Sequence, residues 1–222
     1  MNLTLFDLDG TLIPKDSDHA FGEFLVERGW ADGGTFRQRN DAFYEDYLAG
    51  RLDMAAYVDF ATTPWRRRSP AELAQASADF VAQVVRPMLP AAALALVQRH
   101  RQAGDLLAIV TATNDFVTRP IAALLGIDTL IATELERDAH GRVTGAIRGV
   151  PAFREGKIVR VQQWLREQGR QLEDFGCSTF YSDSINDLPL LERVRCAVAT
   201  NPGPALARIA HERGWPVLNL FP

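Results

Sequence analysis

Leu3, Thr4, Leu5 and Phe6 form a short, mostly apolar run that stops abruptly at Asp7. A run with no polar face is what a central parallel strand requires, because helices cover such a strand on both sides. Three more runs of this kind follow, at residues 106–110, 179–182 and 197–199. Helical patterns lie between them. Residues 90–102 close with Gly104 and residues 122–125 with Gly126. Residues 157–168, with Ile158, Val161 and Leu165 on one face, close with Gly169. Glycine just past a helix accepts the left-handed turn that ends it. Strands alternating with helices of this length predict an α/β protein on a doubly wound parallel sheet. Residues 130–137 and 142–148, separated by 138–141, read as a β-hairpin attached to it.

Residues 16–87 break the alternation and read as helices only. Ser69-Pro70-Ala71-Glu72 is a capping box with proline at the first helical position, a strong start signal. The helix it opens would show Leu73, Ala76, Phe80 and Val84 on one face, and Pro87 and Pro90 mark the return to the sheet. This segment holds 11 of the chain's 20 aromatic residues. A small helical unit needs large side chains to build any core. Most of these rings are therefore expected inside, with two or three lining a pocket at the interface with the sheet. A chain of 222 residues has room for one α/β domain and such an accessory unit.

Charge and composition exclude some classes. A net charge of −4 argues against nucleic acid, whose phosphates need a basic surface. The only dense basic run, Arg66-Arg67-Arg68, reads as a solvated face. No apolar stretch approaches a membrane span and no leader precedes the first run, so the cytoplasm is the expected compartment. Cys177 and Cys196 lack metal-ligand or C-x-x-C spacing and each precedes a strand-like run, so both are expected as buried, reduced thiols.

The chemistry collects where the apolar runs end. Asp7-Leu8-Asp9-Gly10-Thr11 leaves the first run, and ligands of open parallel sheets bind beyond the carboxyl ends of the strands. Two carboxylates so placed are costly to hold ionised without a cation. Mg²⁺, which takes one or two carboxylates with waters and a phosphate oxygen, resolves that cost. Thr111-Ala112-Thr113-Asn114 leaves the second strand, where a hydroxyl and free backbone N–H groups suit a phosphate oxygen. Lys157 opens a helix, the end that favours anions rather than cations, and it is the chain's second lysine after Lys15. Its placement points to an anion nearby. Asp183 and Asp187, on the loop leaving the third run, complete an acidic cluster suited to a divalent cation, although either could simply cap the next helix.

In this order, Asp7-x-Asp9-Gly10-Thr11, Thr111, Gly156-Lys157, and Asp183 with Asn186-Asp187 resemble the four motifs of the haloacid dehalogenase superfamily. The helical segment resembles the cap of its phosphoserine-phosphatase-like branch. Asn201-Pro202-Gly203-Pro204 with Arg213-Gly214-Trp215-Pro216 is similar to a bacterial subgroup of that branch, to which histidinol-phosphate phosphatases are assigned. The resemblance implies a Rossmann-like catalytic core over residues 1–15 and 88–222 and an α-helical cap over 16–87. It implies a Mg²⁺-dependent phosphatase acting on a small phosphorylated metabolite. Asp7 would be the nucleophile and Asp9 the acid and base. The metal would lie among Asp7, the Asp9 carbonyl, Asp183 and Asp187, the last holding a metal-bound water or orienting Lys157. Thr111, the Ala112 N–H and Lys157 would neutralise the phosphoryl group, with Thr113 beside them.

Substrate choice follows less directly. Phosphoserine-specific members carry an acid near Asp16 for the amine and a cap arginine for the carboxylate. Ala61 stands in that arginine's place, with Arg51 and Arg66 to Arg68 as candidate substitutes. Histidinol phosphate has an amine and an imidazole but no carboxylate. Asp16 or Asp18 would meet its amine and the cap aromatics its ring. Two rival classes share the fold: a phosphoryl-accepting signalling module and a non-catalytic binding protein. Asp9 opposes the first, since an acid and base beside the nucleophile serves turnover, and the full set of motif residues opposes the second.

Overall fold

The structure, a computed structural model, describes residues 1–221. Six parallel strands form one sheet in the order β3-β2-β1-β6-β7-β8. They are β1 (Leu3–Phe6), β2 (Leu106–Asn114), β3 (Thr129–Thr133), β6 (Ser178–Ser182), β7 (Cys196–Thr200) and β8 (Val217–Leu218). Every residue of β1 is buried, as a strand with neighbours on both edges and helices on both faces must be. Alternation divides its side chains between two cores. Leu3 and Leu5 join Ala108, Val110 and Phe180 on one face, beneath α8 (Glu155–Glu167) and α10 (Pro204–Arg213). Phe6 joins Ile109 and Tyr181 on the other, beneath α6 (Ala91–Gln102) and α7 (Asp115–Leu125). Chain order reverses at β1, so the crevice beyond β1, β2 and β6 is where such a sheet binds ligands.

Helices alone fill the segment between β1 and β2, as expected. They are α1 (Ser17–Glu27), α2 (Thr35–Leu48), α3 (Met54–Thr62) and α4 (Pro70–Phe80), the last continuing through a π turn (Val81–Val85) into α5 (Arg86–Met88). Ser69 and Glu72 make both bonds of the capping box that starts α4. Ala76 and Phe80 are buried, and Leu73 and Val84 pack against the same core. Trp65, 1% exposed, stacks on Phe116 of α7 with centroids 4.4 Å apart, and Phe21 and Phe24 pack against Phe80. Large rings thus supply the core that short helices could not build otherwise.

Three expectations need correction. The first arm of the hairpin is two strands. Residues 129–133 belong to the parallel sheet as β3, and only β4 (Leu135–Arg137) pairs antiparallel with β5 (Val143–Ile147). Glu134 separates them, its carboxylate held by Arg148 and Arg160. The edge strand β8 carries no apolar run long enough to announce itself. The thiols are not buried: Cys196, at the start of β7, is exposed and Cys177, just before β6, half-buried, their sulfurs 2.8 Å apart. Among the described residues no single helix is long and apolar enough to cross a membrane.

Candidate active site

β1, β2 and β6 deliver their polar ends to one crevice. Asp7 is 3% exposed, and its backbone N–H donates to the Tyr181 carbonyl of β6 at 2.9 Å. The Leu8 carbonyl then accepts from Thr11, Leu12 and Ile13, closing a tight loop. Gly10 is required there on two counts. Its φ of +71° disfavours a side chain, and a Cβ would stand 2.3 Å from Asp183 Oδ2. The missing side chain leaves the cradle in which Asp183 lies. Thr11 Oγ1 sits between the two acids, 3.2 Å from Asp183 Oδ1 and 3.5 Å from Asp7 Oδ2.

Lys157 lies 1% exposed in the first turn of α8. Its ammonium donates to Asp7 Oδ1 at 2.8 Å and to Asp187 Oδ2 at 2.7 Å. Ser182 Oγ donates to the same Asp187 oxygen at 2.7 Å. Asp187 is thus positioned to orient Lys157. Burial would lower the lysine's pKa, yet Asp187 and Asp7 together hold it above its ordinary value.

Asp9 turns the other way. Its Oδ1 accepts from the Ser17 N–H at 2.7 Å and its Oδ2 from Thr113 Oγ1 at 2.8 Å, with Thr111 Oγ1 at 3.5 Å. The carboxylate is clamped between the start of α1 and the end of β2, so only the backbone carbonyl of Asp9 remains for a metal. Burial, reinforced by Asp16, raises its pKa to about 7. Burial does the same for Asp7, also to about 7, with Lys157 opposing and Asp187 and Asp9 adding to it. Asp183 rises well above the carboxylate range through burial and its neighbours Asp7 and Asp187.

This donor set fits Mg²⁺. Among the described residues no three His, Cys, Asp or Glu side chains form a cage by themselves. A cation here would rest on Asp7, Asp183, the Asp9 carbonyl and non-protein oxygens, which is how Mg²⁺ is ordinarily held. Buried, proton-hungry carboxylates over a glycine cradle are what such an ion would relieve.

A pocket above this cluster is walled by Asp16, Asp18, His19, Asn40, Phe43 and Tyr44, with Tyr47, Tyr57 and the stretch Thr111, Ala112 and Thr113 completing it. Asp16 is the N-cap of α1, accepting from the His19 N–H at 2.8 Å. Asp18 is buried and accepts from Asn114 Nδ2 at 2.9 Å. Burial, with Asp16 and Asp9 nearby, lifts its pKa to about 8 against the hydrogen bonds of Asn114 and Tyr57. Four of the segment's rings reach the pocket, more than expected. Among the described residues no arginine or lysine lines it. Arg51 is exposed and paired with Asp46, and Arg66 to Arg68 line a separate groove. The helix after Thr111 begins at Asp115, so Ala112 presents its N–H from the end of β2 and not from a helix.

Sequence reasoning missed several residues here. Thr11 lay in plain view inside the first motif. Asn201, at φ 46°, donates to the Gly10 and Thr11 carbonyls at 3.0 and 3.2 Å and so holds the loop. Its sequence signal was the Asn-Pro-Gly turn in the stretch similar to the bacterial subgroup, which carried no role for the side chain. Asn186 Nδ2 donates to the Tyr47 carbonyl at 2.9 Å, and Arg154 to the Gly50 carbonyl at 3.1 Å. These bonds fasten the end of α2 over the crevice.

An open α/β sheet with an acidic cluster and a buried lysine beyond its switch point defines a class of hydrolytic enzyme. Residues 4–192 match the haloacid dehalogenase-like hydrolase family, and the chain belongs to it. It is 44% identical over 218 residues to a histidinol-phosphatase of Neisseria meningitidis, covering 98% of each chain. A crystal structure of a Bordetella pertussis protein of unknown function is 49% identical over 99% of both chains, with a TM-score of 0.93. A substrate-bound phosphoserine phosphatase shares the fold at a TM-score of 0.68 and 16% identity, over 97% of this chain and 91% of that one.

Proposed function

We propose that this hydrolase is a Mg²⁺-dependent phosphomonoesterase that works through an aspartyl-phosphate on Asp7, with histidinol phosphate as its substrate. The observation that carries the chemistry is the buried Lys157 bridge between Asp7 and Asp187. It leaves one face of a desolvated nucleophile open to the pocket and places a cation where phosphoryl charge develops. Asp7 attacks phosphorus and the bond to the alkoxide breaks. Asp9 gives its proton to that oxygen, then takes one from the water that cleaves the acyl phosphate. A pKa near 7 suits a group that must do both. Bound Mg²⁺ would neutralise phosphate charge and keep Asp7 and Asp183 ionised. Thr111, Thr113 and the Ala112 N–H flank the phosphate. The segment 16–87 acts as a cap that admits the leaving group.

The leaving-group wall selects the substrate. Two acids and four rings with no arginine or lysine suit a cationic, flat group without a carboxylate. Phosphoserine would bury its carboxylate beside Asp16 and Asp18 unpaired, a large penalty. The 44% identity to a histidinol-phosphatase supports the same choice. Steady-state kinetics with Mg²⁺ on histidinol phosphate, phosphoserine and a neutral alkyl phosphate test it. The expected kcat/KM ranks histidinol phosphate first by at least about a hundredfold. Equal or better turnover of phosphoserine would overturn the substrate, and no turnover of any ester would overturn the chemistry.

A further inference from the structure

A groove outside the catalytic crevice lies between α4, α7 and the β4–β5 hairpin, with a volume of about 1080 Å³. That is the upper end of what small-molecule sites occupy. Six arginines line it, Arg66, Arg67, Arg68, Arg119, Arg137 and Arg142, against two carboxylates, Glu72 and Asp115. In a chain of net charge −4 this is a concentrated reversal of sign.

The six divide into two sets. Arg66 bonds Asp59 at 2.5 Å and the Thr144 carbonyl at 3.4 Å, and lies over Gly145, where a Cβ would collide with it. Arg68 pairs with Glu72 and stacks on Trp30. Arg137 pairs with Asp115 at 3.5 Å. These three are committed to the fold and consume the groove's own carboxylates. Arg67, Arg119 and Arg142 have no carboxylate partner among the described residues. Nearby acids are engaged elsewhere: Glu134 by Arg148 and Arg160, and Asp138 by the His140 and Arg142 N–H groups of the hairpin turn.

The unpaired guanidiniums come one from each wall: Arg67 from the approach to α4, Arg119 from α7 and Arg142 from the hairpin. All three are solvent-exposed and line one concavity, with Asp138 close enough to Arg142 to be favoured in its ionised form. The fold gathers them from segments 52 and 23 positions apart in the chain. We propose that this groove is a binding site for a polyphosphate anion, two or three linked phosphoryl groups free or carried on a nucleoside. Planar guanidiniums grip phosphate through paired N–H donors. A di- or triphosphate offers each of the three walls its own oxygens. Bound, it would tie α4 and the hairpin to α7, whose N-cap Asn114 holds Asp18 in the catalytic pocket.

The test is calorimetric titration of the full chain at low salt in EDTA, where the metal-free acidic crevice repels anions. The probes are pyrophosphate, ATP, inorganic phosphate, adenosine and a polyglutamate peptide, each against wild type and the R67Q/R119Q/R142Q variant. Binding of pyrophosphate or ATP, weaker by at least about tenfold in the variant, is the expected result. Tighter binding of ATP than pyrophosphate assigns the nucleotide as the source, and equal binding the inorganic chain. The proposal is overturned if neither binds, if the variant binds them as well as wild type, or if phosphate, adenosine or the peptide binds as tightly. None of the three arginines touches the crevice, so the variant should hydrolyse an aryl phosphate with Mg²⁺ at the wild-type rate, and a slower rate would show misfolding. A wild-type melting curve for R67Q/R119Q/R142Q then keeps the binding comparison decisive.

Discussion

Replacing Lys157 by methionine should destabilise the metal-free protein by about 3–5 kcal/mol, the usual cost of removing one partner from a buried ion pair. The geometry sets this expectation. The ammonium lies 2.8 Å from Asp7 and 2.7 Å from Asp187, and all three side chains are at most 4% exposed. Methionine keeps the stem's bulk, so the loss is electrostatic and not a cavity. Two buried carboxylates then face each other without a cation, and at least one must take up a proton. The folded variant therefore binds more protons than the unfolded chain above the ordinary carboxylate pKa of 3.8. Its stability must rise as pH falls toward that value. Urea unfolding in EDTA at several pH values reads both effects, and Lys157→Met with Asp187→Asn should recover about 1–3 kcal/mol of the loss. A single variant within about 1 kcal/mol of wild type at neutral pH, or a double variant with no recovery, would refute the bridge as described.

Asp7→Asn should leave the fold intact and retain less than about a hundredth of wild-type turnover, since the amide keeps shape but is no nucleophile; single-turnover kinetics check it. Asp9→Asn should slow esters with poor leaving groups more than those with good ones, measured as a leaving-group series, because its proton matters most where the alkoxide is basic. Activity should be lost in EDTA and restored by Mg²⁺ but poorly by Ca²⁺, whose longer bonds and higher ligand number would engage both Asp7 oxygens. Asp18, ordinarily at 3.8, is held up to about 8 by burial and by Asp16 and Asp9. Folding therefore retains its proton between those values, and stability falls as pH rises through that window. Asp18→Asn should flatten that part of the stability profile in metal-free melts.

The candidate site was legible because most of its members sit where an apolar strand gives way to polar residues. Asp7, Thr111 and Asp183 all follow such breaks, and buried strands permit few other reasons for them. Lys157 was legible from the wrong charge at a helix start. The pocket wall was not. Phe43, Tyr44, Tyr47 and Tyr57 lie on two short helices, and ring content cannot say which faces turn to the crevice until α2 and α3 are docked. β3 was hidden because its run continues into β4 with only Glu134 between, and a hydrophobic pattern carries no mark of the change in partner. Cys196 starts β7 at the sheet's open end, so the burial inferred from its apolar neighbours did not extend to it.

The arrangement of Asp9 and Asp18 joins specificity to chemistry. Ser17 and Thr113 clamp Asp9, and their sequence neighbours Asp18 and Asn114 clamp each other at 2.9 Å. The same two segments thus hold the proposed acid and base and line the pocket above it. With no cation present, Asp18 stays largely protonated at neutral pH, and ionising it beside Asp16 and Asp9 is costly. An ammonium on the leaving group removes that cost, because it is the counter-charge that burial denies the acid. A neutral alkyl phosphate of the same size finds only a protonated carboxyl. On the proposed reading, preference for an amine therefore stems from a penalty already stored in the pocket. Discrimination between the two esters should then narrow at pH 5, where protonation of Asp18 competes with its pairing to the ammonium, and widen toward pH 8. Measured as the ratio of kcat/KM values, this cancels the shared titration of Asp9. A ratio independent of pH, and equal in wild type and Asp18→Asn, would leave the rings alone to select the substrate.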